Sequence, residues 1–163
     1  MPDALDFHSL YRNHAPDVYR FALFLSGDRT LAEDIVSETF IRVWGARERV
    51  EIRTVRAYLL AIARNLFLQG RRREKRIAAL DDNLPDPRRR ADDSRESRDE
   101  LSRVLAQLQR LPEIDRSALL MRAEENLSYD EIAAALGISP GAARVKIHRA
   151  RAKLSAAREE PRP

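Results

Sequence analysis

The chain has 163 residues, of which 44% are hydrophobic and only 6% aromatic, so it can form one or two small domains with aliphatic cores. It contains no cysteine, which excludes disulfides, cysteine-ligated zinc and a cysteine nucleophile. Its 30 lysines and arginines exceed its 26 acidic residues, and the basic residues are concentrated in two separate blocks, which favours a polyanionic partner contacted at two places.

The first two helices are predicted from apolar periodicity. Apolar residues recur at steps of three and four over residues 7–25, and Gly27 is predicted to end this helix. Thr30 and Glu33 have the spacing of a capping box, so a second helix is predicted to begin there. We expect Trp44, at the end of its apolar stripe, to lie in the core.

The third helix is predicted to follow Thr54, and the basic run of residues 71–76 can extend it. Residues 80–98 have no helical spacing, contain two prolines and alternate between acidic and basic clusters. Such a composition is typical of a flexible linker rather than of a packed element. The two halves are therefore expected to move relative to one another.

The strongest motif lies in the second half, residues 99–158. The S-x-x-E pattern at Ser128 predicts a capped helix, and Gly137 is predicted to end that helix in a left-handed conformation. Ser139, followed by proline, then begins a basic helix, which completes a helix-turn-helix. The predicted fold class is all-α, with two small helical domains, residues 1–79 and 99–158, joined by the flexible linker.

The last helix is predicted to separate into two faces. Its apolar face is predicted to point inward, which leaves basic residues outside at a density suited to the major groove of DNA. An ordinary helical hairpin with a solvated basic face is the alternative. The inward residues are Ala143, Ile147, Ala150 and Leu154, and the outward residues are Arg144, Lys146, His148, Arg149 and Arg151.

Both halves resemble one known family. The second half is similar to region 4 of bacterial RNA polymerase sigma factors, in LPEIDRSALLMRAEENLSYDEIAAALGISPGAARVKIHRARAKL. The first half resembles region 2, in AEDIVSETFIRVW and VRAYLLAIARNLFLQGRRR. These two regions alone, joined by a short linker, are typical of the extracytoplasmic-function (ECF) group. The resemblance implies a subunit that directs core RNA polymerase to promoters with −10 and −35 elements.

The resemblance also implies protein partners. In the family, region 2 binds the clamp of the largest polymerase subunit, region 4 rests on the flap of the second-largest subunit, and an anti-sigma factor masks the same surfaces. Asp34, Ser37 and Glu38 match the clamp-binding positions, although relatives commonly have glutamine where Ser37 stands. Because serine reaches less far, one clamp contact is predicted to be shorter or absent. A solvated helix face is the alternative for these residues.

Promoter contacts are implied at two places. Tyr58 also lies on the apolar stripe of the third helix, so a place in the core is its alternative. His148 stands where relatives often have an aromatic residue, and its contact stays open between a base and a phosphate. The residues that match the strand-reading part of region 2 are Arg53, Arg56, Tyr58, Arg64, Asn65, Arg71, Arg72 and Arg73. Those that match the −35 contacts are Arg144, Lys146, His148 and Arg149.

Other classes of function have less support in the sequence. There is no phosphate-binding glycine loop, nucleophile motif or convincing metal site among the three histidines, so neither an enzyme nor a cofactor is expected. No apolar run approaches the roughly 20 residues of a membrane span, and the start lacks a signal peptide, so a cytoplasmic protein without membrane insertion is expected. A helix-turn-helix regulator that does not join polymerase and a sigma-like decoy for an anti-sigma factor are the alternatives.

Overall fold

The computed structural model describes residues 6–45, 55–80 and 99–159, and these residues form seven α-helices and no strand. The predicted all-α class is therefore confirmed. The helices are α1 (Phe7–Ser26), α2 (Arg29–Gly45), α3 (Val55–Leu80), α4 (Glu100–Gln109), α5 (Glu113–Ala123), α6 (Tyr129–Leu136) and α7 (Pro140–Glu159).

The turn between α1 and α2 is two residues shorter than the sequence predicts, because Asp28 rather than Thr30 caps α2. Gly27 ends α1 with a φ of 72°, in the left-handed region that glycine adopts without steric cost. Asp28 then caps α2, because its Oδ1 accepts a hydrogen bond from the Leu31 amide at 3.1 Å. Thr30 consequently lies inside the first turn, and the capping box predicted for it is wrong.

The first three helices pack around an aromatic and aliphatic core. Phe21, Phe40 and Phe67 each come from a different helix and are at most 1% exposed. Trp44 differs from the prediction, because it is 37% exposed and makes an edge-to-face contact with an aromatic neighbour near the surface. The reason is local: Val43 occupies the inward position in that turn, and adjacent residues on a helix point about 100° apart.

Helix α3 extends beyond the core that it helps to build. Its first half is apolar on the inward side, whereas residues 72–80 are all exposed. The basic run thus continues the helix, as the sequence allowed, and Leu80, the first residue of the predicted linker, is its last residue. The remaining predicted linker, residues 81–98, lies outside the described residues, as does Thr54.

The helix-turn-helix has the caps that its sequence predicts. Ser128 Oγ accepts a hydrogen bond from the Glu131 amide at 3.1 Å, and Glu131 Oε1 accepts one from the Ser128 amide at 3.0 Å. Gly137 ends α6 in the left-handed region with a φ of 68°. Ser139 Oγ accepts a hydrogen bond from the Ala142 amide at 3.1 Å and so begins α7. These local bonds set the angle at which α7 leaves the turn.

The two capping positions give a direct test of this description. Ser128→Ala removes a side-chain acceptor from the start of α6, and we expect it to lower the free energy of unfolding by about 1 kcal/mol. Thr30→Ala is the matched control, because Thr30 makes no cap in the structure and should change stability little. Urea denaturation of the full chain measures both. Equal losses for the two variants would contradict the assignment of Asp28 as the cap of α2.

The two halves pack against each other along α1 and α3 on one side and α4 to α6 on the other. Arg64 donates two hydrogen bonds to Glu113, at 2.6 and 2.9 Å. Arg20 similarly donates to Glu125, and the Gln109 amide donates to main-chain carbonyls at the end of α1. We call this set of contacts the junction. The sequence did not predict these contacts, because the linker was considered without the surfaces that face each other; the relative motion of the two halves stays a prediction.

Candidate polymerase and nucleic-acid interfaces

An exposed polar stripe follows α2 on the side away from the core. Asp34, Ser37 and Glu38 are all exposed, and their spacing of three and four residues aligns them along one face. We call these three residues the acidic stripe. Glu38 accepts a hydrogen bond from Arg42 at 3.3 Å, but both side chains are solvated, so this pair is weak and easily exchanged. The stripe presents negative charge on a rigid helix.

Two arginines of the predicted strand-reading set are bonded to other residues of the chain. Arg56 forms an ion pair with Asp17 at 3.4 Å and donates to the main-chain carbonyl of Glu125 at 3.2 Å. Arg64 forms the bidentate pair with Glu113, in which both side chains are largely buried. In this arrangement, the two guanidinium groups stabilise the junction. Arg64, which is largely buried, would have to exchange its partner before contacting a nucleic acid, whereas Arg56 keeps 46% of its side chain exposed.

The other members of that set differ in exposure. Asn65 is exposed on the middle of α3, whereas Tyr58 is half-buried against the core, which favours its alternative as a packing residue. Further along, Arg72 and Arg73 are exposed, and the Arg71 guanidinium lies 4.9 Å above the ring of a buried phenylalanine. The basic end of α3 is therefore open to solvent. Arg53 lies outside the described residues.

Helix α7 has the two faces that the sequence predicts. Ala143, Ile147 and Ala150 are at most 1% exposed and pack on α5 and α6. The rest of the helix surface carries the predicted −35 residues, of which Lys146 is half-buried beside the packed face and the other three are exposed. These three are Arg144, His148 and Arg149. The structure therefore leaves three of the four predicted residues open to solvent on α7.

Arg144 and Arg149, the two arginines of the predicted −35 set, contact different kinds of side chain. The Arg144 guanidinium lies 4.8 Å above the ring of Tyr129, a cation–π contact that leaves its N–H groups available. Arg149 instead donates from Nε to Asp115 Oδ2 at 3.0 Å and from Nη2 to Asp115 Oδ1 at 3.4 Å. Sequence reasoning missed Asp115. In sequence it is an ordinary acid in the first turn of a helix, and only the fold reveals its partner 34 positions away.

Two buried charged residues at the junction, Arg116 and Glu125, were not predicted from the sequence. Arg116 is 2% exposed and donates to the carbonyls of Leu108 and Leu111. Burial, reinforced by the nearby positive charge of Arg71, lowers the pKa of Arg116 to about 10, so it stays charged at neutral pH. Burial raises the pKa of Glu125, although the charge of its arginine partner opposes this effect. Such groups are costly to bury alone, so the junction depends on their pairing.

The described part of the chain also bears on membranes and metals. None of its helices is both long and apolar enough to cross a bilayer. In the same residues, no group of three or more histidine, aspartate or glutamate side chains is arranged to hold a metal ion. The prominent described surfaces are instead the acidic stripe, the basic end of α3 and the outer face of α7.

Comparison with known families accounts for both halves. The family described as Sigma-70 region 2 matches residues 10–77, and the family described as Sigma-70, region 4 matches residues 101–154. These two matches, in this order, define a transcription initiation factor of the sigma-70 type. They cover the helices that carry the acidic stripe, the basic end of α3 and the helix-turn-helix.

Individual relatives narrow the class. The ECF RNA polymerase sigma factor SigE of Mycolicibacterium smegmatis is 40% identical over 89% of this chain, which spans 58% of that relative's length. The RNA polymerase sigma factor CarQ of Myxococcus xanthus is 35% identical, and the match covers 91% of this chain and 86% of that relative. The ECF RNA polymerase sigma factor SigM of Bacillus subtilis is 31% identical, and the match covers 90% of this chain and 91% of that relative. This chain belongs to the sigma-70 family of RNA polymerase sigma factors, in its ECF group.

Solved structures share the arrangement. CnrH, solved in complex with the cytosolic domain of CnrY, superposes with a TM-score of 0.68 at 28% identity, covering 93% of this chain and 86% of that chain. The sigma factor RpoE from Bartonella quintana, solved with the anti-sigma factor NepR, superposes with a TM-score of 0.80 over 96% of this chain and 99% of that chain. At 24% identity, the second likeness concerns the fold alone.

Proposed function

We propose that this chain binds core RNA polymerase and directs transcription initiation at promoters that contain a −10 and a −35 element. One observation carries the proposal: a region 2 domain with an exposed acidic stripe and a region 4 domain with an exposed basic recognition helix occur in one chain, in the family order. Initiation factors of this family are not enzymes, and the proposed role is one of binding and positioning.

The acidic stripe is the proposed contact with the polymerase clamp. Asp34 and Glu38 are exposed carboxylates one helical turn apart, so together they can pair with a basic surface. Ser37 lies between them and has a short side chain, which contributes a hydroxyl rather than a long amide. We therefore assign the charge of the interface to the two acids. Region 4 is assigned to the flap of the second-largest subunit.

Recognition of the −10 element is assigned to α3 and to Arg53, which lies outside the described residues. The exposed members, Asn65, Arg72 and Arg73, can follow an unpaired strand along the helix, and Arg71 beside them adds a further cation. Arg64 belongs to the proposed surface only after the junction opens, because its largely buried guanidinium group is bonded to Glu113 of the other half. Arg56 is exposed, although it too donates a hydrogen bond to the other half. Tyr58 stacks on a base only if it leaves its half-buried position.

An anti-sigma factor is the proposed regulatory partner. Two of the structurally similar sigma factors were solved with partners, CnrH with the cytosolic domain of CnrY and RpoE with the anti-sigma factor NepR. A partner of this kind would compete for the charged faces that polymerase and promoter need. Function inside the cytoplasm, where polymerase acts, follows from the same proposal.

The two alternatives lack a supporting observation. A helix-turn-helix regulator independent of polymerase does not need a region 2 domain, yet residues 10–77 match one. A decoy does not need a basic recognition helix, yet α7 keeps its exposed arginines. Transcription by core polymerase reconstituted with this chain, with the start sites mapped on genomic DNA, tests the proposal. Start sites that share no upstream element, or no gain over core polymerase alone, would refute it.

Base contacts and phosphate contacts on α7 can be separated by mutation. We expect Arg144→Ala and Arg149→Ala to cost about 1–3 kcal/mol on the cognate −35 sequence and to relax the preference at one position each. Lys153→Ala, at an exposed position further along α7, should weaken binding to all sequences alike and flatten the salt dependence. Competition between cognate and scrambled duplexes for holoenzyme, at two salt concentrations, measures this. Equal losses on both duplexes for the arginine variants would show that α7 holds only phosphates.

A further inference from the structure

The buried carboxylate beneath the recognition helix has a further role. Asp115 is 1% exposed, lies in the first turn of α5 and bonds to the half-exposed Arg149 of α7. We propose that Asp115 is a positioning residue for specificity: it holds the Arg149 guanidinium so that the outer edge of that group recognises a guanine in the −35 duplex. This inference rests on the proposed function and names a determinant within it.

The hydrogen-bond geometry leaves one edge of the guanidinium free. An arginine carries five N–H groups, one on Nε and two on each terminal nitrogen. Asp115 accepts from Nε at 3.0 Å and from Nη2 at 3.4 Å, which occupies the inner edge. Both N–H groups of Nη1 and one of Nη2 remain. Two parallel donors on this outer edge match the O6 and N7 acceptors that guanine presents in the major groove.

The anchor is rigid, which is what specificity requires. A solvated arginine samples many rotamers and loses that freedom when it binds, whereas Arg149 is already held by two bonds. The carboxylate itself is fixed, because it is buried at the N-terminal end of α5, where the helix dipole favours negative charge. A misplaced base is therefore not accommodated by movement of the arginine.

Arg144 provides the internal comparison. It is likewise exposed on α7 but rests on the ring of Tyr129, and no described carboxylate lies within ion-pair distance of it. A ring face supports a cation without choosing among rotations of its N–H groups. If Asp115 acts through Arg149 alone, its removal should leave any base preference of Arg144 unchanged.

A purely structural link between α5 and α7 makes a different prediction. In that case, loss of the Asp115 charge lowers stability, and any loss of DNA affinity is shared by every sequence. The proposed positioning role instead changes the preference at one base pair. A base-preference profile therefore distinguishes the two roles, because a global loss of folded protein cannot alter which base is preferred at a single position.

The experiment uses holoenzyme made with the full chain and duplexes in which each −35 base pair is replaced in turn. We expect Asp115→Asn to lose roughly tenfold in discrimination at one G·C pair. Arg149→Ala should lose discrimination at the same pair, and the double variant should lose no more than either single variant. Arg144→Ala should act at a different position, and its effect should add to that of Asp115→Asn.

If Asp115→Asn fails to fold, Arg149→Lys replaces it, because lysine keeps the charge but offers a single ammonium in place of the two-edged fork. The same loss at the same pair is then expected. Uniform weakening across all duplexes, or an unchanged profile, would overturn the positioning role. An Arg149→Ala profile without a base-specific loss would overturn it as well. Failure of the wild-type holoenzyme to initiate at all would instead refute the proposed function.

Discussion

Reversing the charge of the acidic stripe, with Asp34→Lys and Glu38→Lys, is expected to abolish binding to core polymerase while the fold stays intact. Both side chains are exposed, so neither contributes to the core. A basic partner surface that attracts two carboxylates would repel two ammonium groups at the same positions, and like charges brought together at an interface cost several kcal/mol. Co-purification of the chain with core polymerase measures the effect directly.

A matched control separates local charge from overall charge. Glu74→Lys with Glu159→Lys makes the same change in net charge at two exposed positions, one in α3 and one at the end of α7. This variant should still bind core polymerase, and both double variants should unfold at a temperature close to that of the wild type. Unchanged co-purification of the stripe variant would refute the assignment of α2 to the clamp.

Arg64→Ala is expected to lower the free energy of unfolding by about 3 kcal/mol, because it leaves the largely buried Glu113 carboxylate without its cation. The pair spans the two halves, so the variant should also loosen the junction and increase the radius of gyration measured by X-ray scattering. The double variant with Glu113→Gln should recover part of the stability, since it removes the uncompensated charge. If the double variant is no more stable than Arg64→Ala, the loss of stability does not come from the unpaired Glu113 charge.

The same pair predicts a pH dependence. Burial raises the pKa of Glu113, but the hydrogen bonds from Arg64 and Ser117 outweigh that effect, and the pKa is lowered from its ordinary value of 4.5. A carboxyl whose pKa is lower in the folded state stabilises the fold above pH 4.5, and its contribution declines as the pH falls through the folded pKa. The difference in stability between the wild type and Arg64→Ala should therefore shrink below that pH.

Local features of the fold were predictable because their causes are local. The caps of the helix-turn-helix depend on residues at most four positions apart, and α6 and α7 begin where Ser128 and Ser139 predict. The error at α2 is also local: Asp28 and Thr30 are both acceptable caps, and the position directly after Gly27 decides between them. The faces of α7 followed from helical periodicity alone.

Long-range pairs were not predictable in the same way. Arg64 and Glu113 are 49 positions apart, and nothing in either local pattern connects them. Arg64 was predicted as a strand contact because its position matches the strand-reading part of region 2, and that match says nothing of a partner within the chain. Asp115 was overlooked because an acid in the first turn of a helix needs no partner. Pairing of this kind depends on how the helices meet, which composition and spacing do not specify.

The exposed tryptophan has a practical consequence. The chain contains a single tryptophan, Trp44, which stands two turns beyond Ser37 on the same side of α2, roughly 10 Å along the axis. Indole emission moves to shorter wavelength when the ring is transferred from water to a protein surface. Trp44 is 37% exposed, so a protein that docks on this side of α2 and covers the ring would change its fluorescence. The unlabelled chain thus contains its own optical reporter of partner docking.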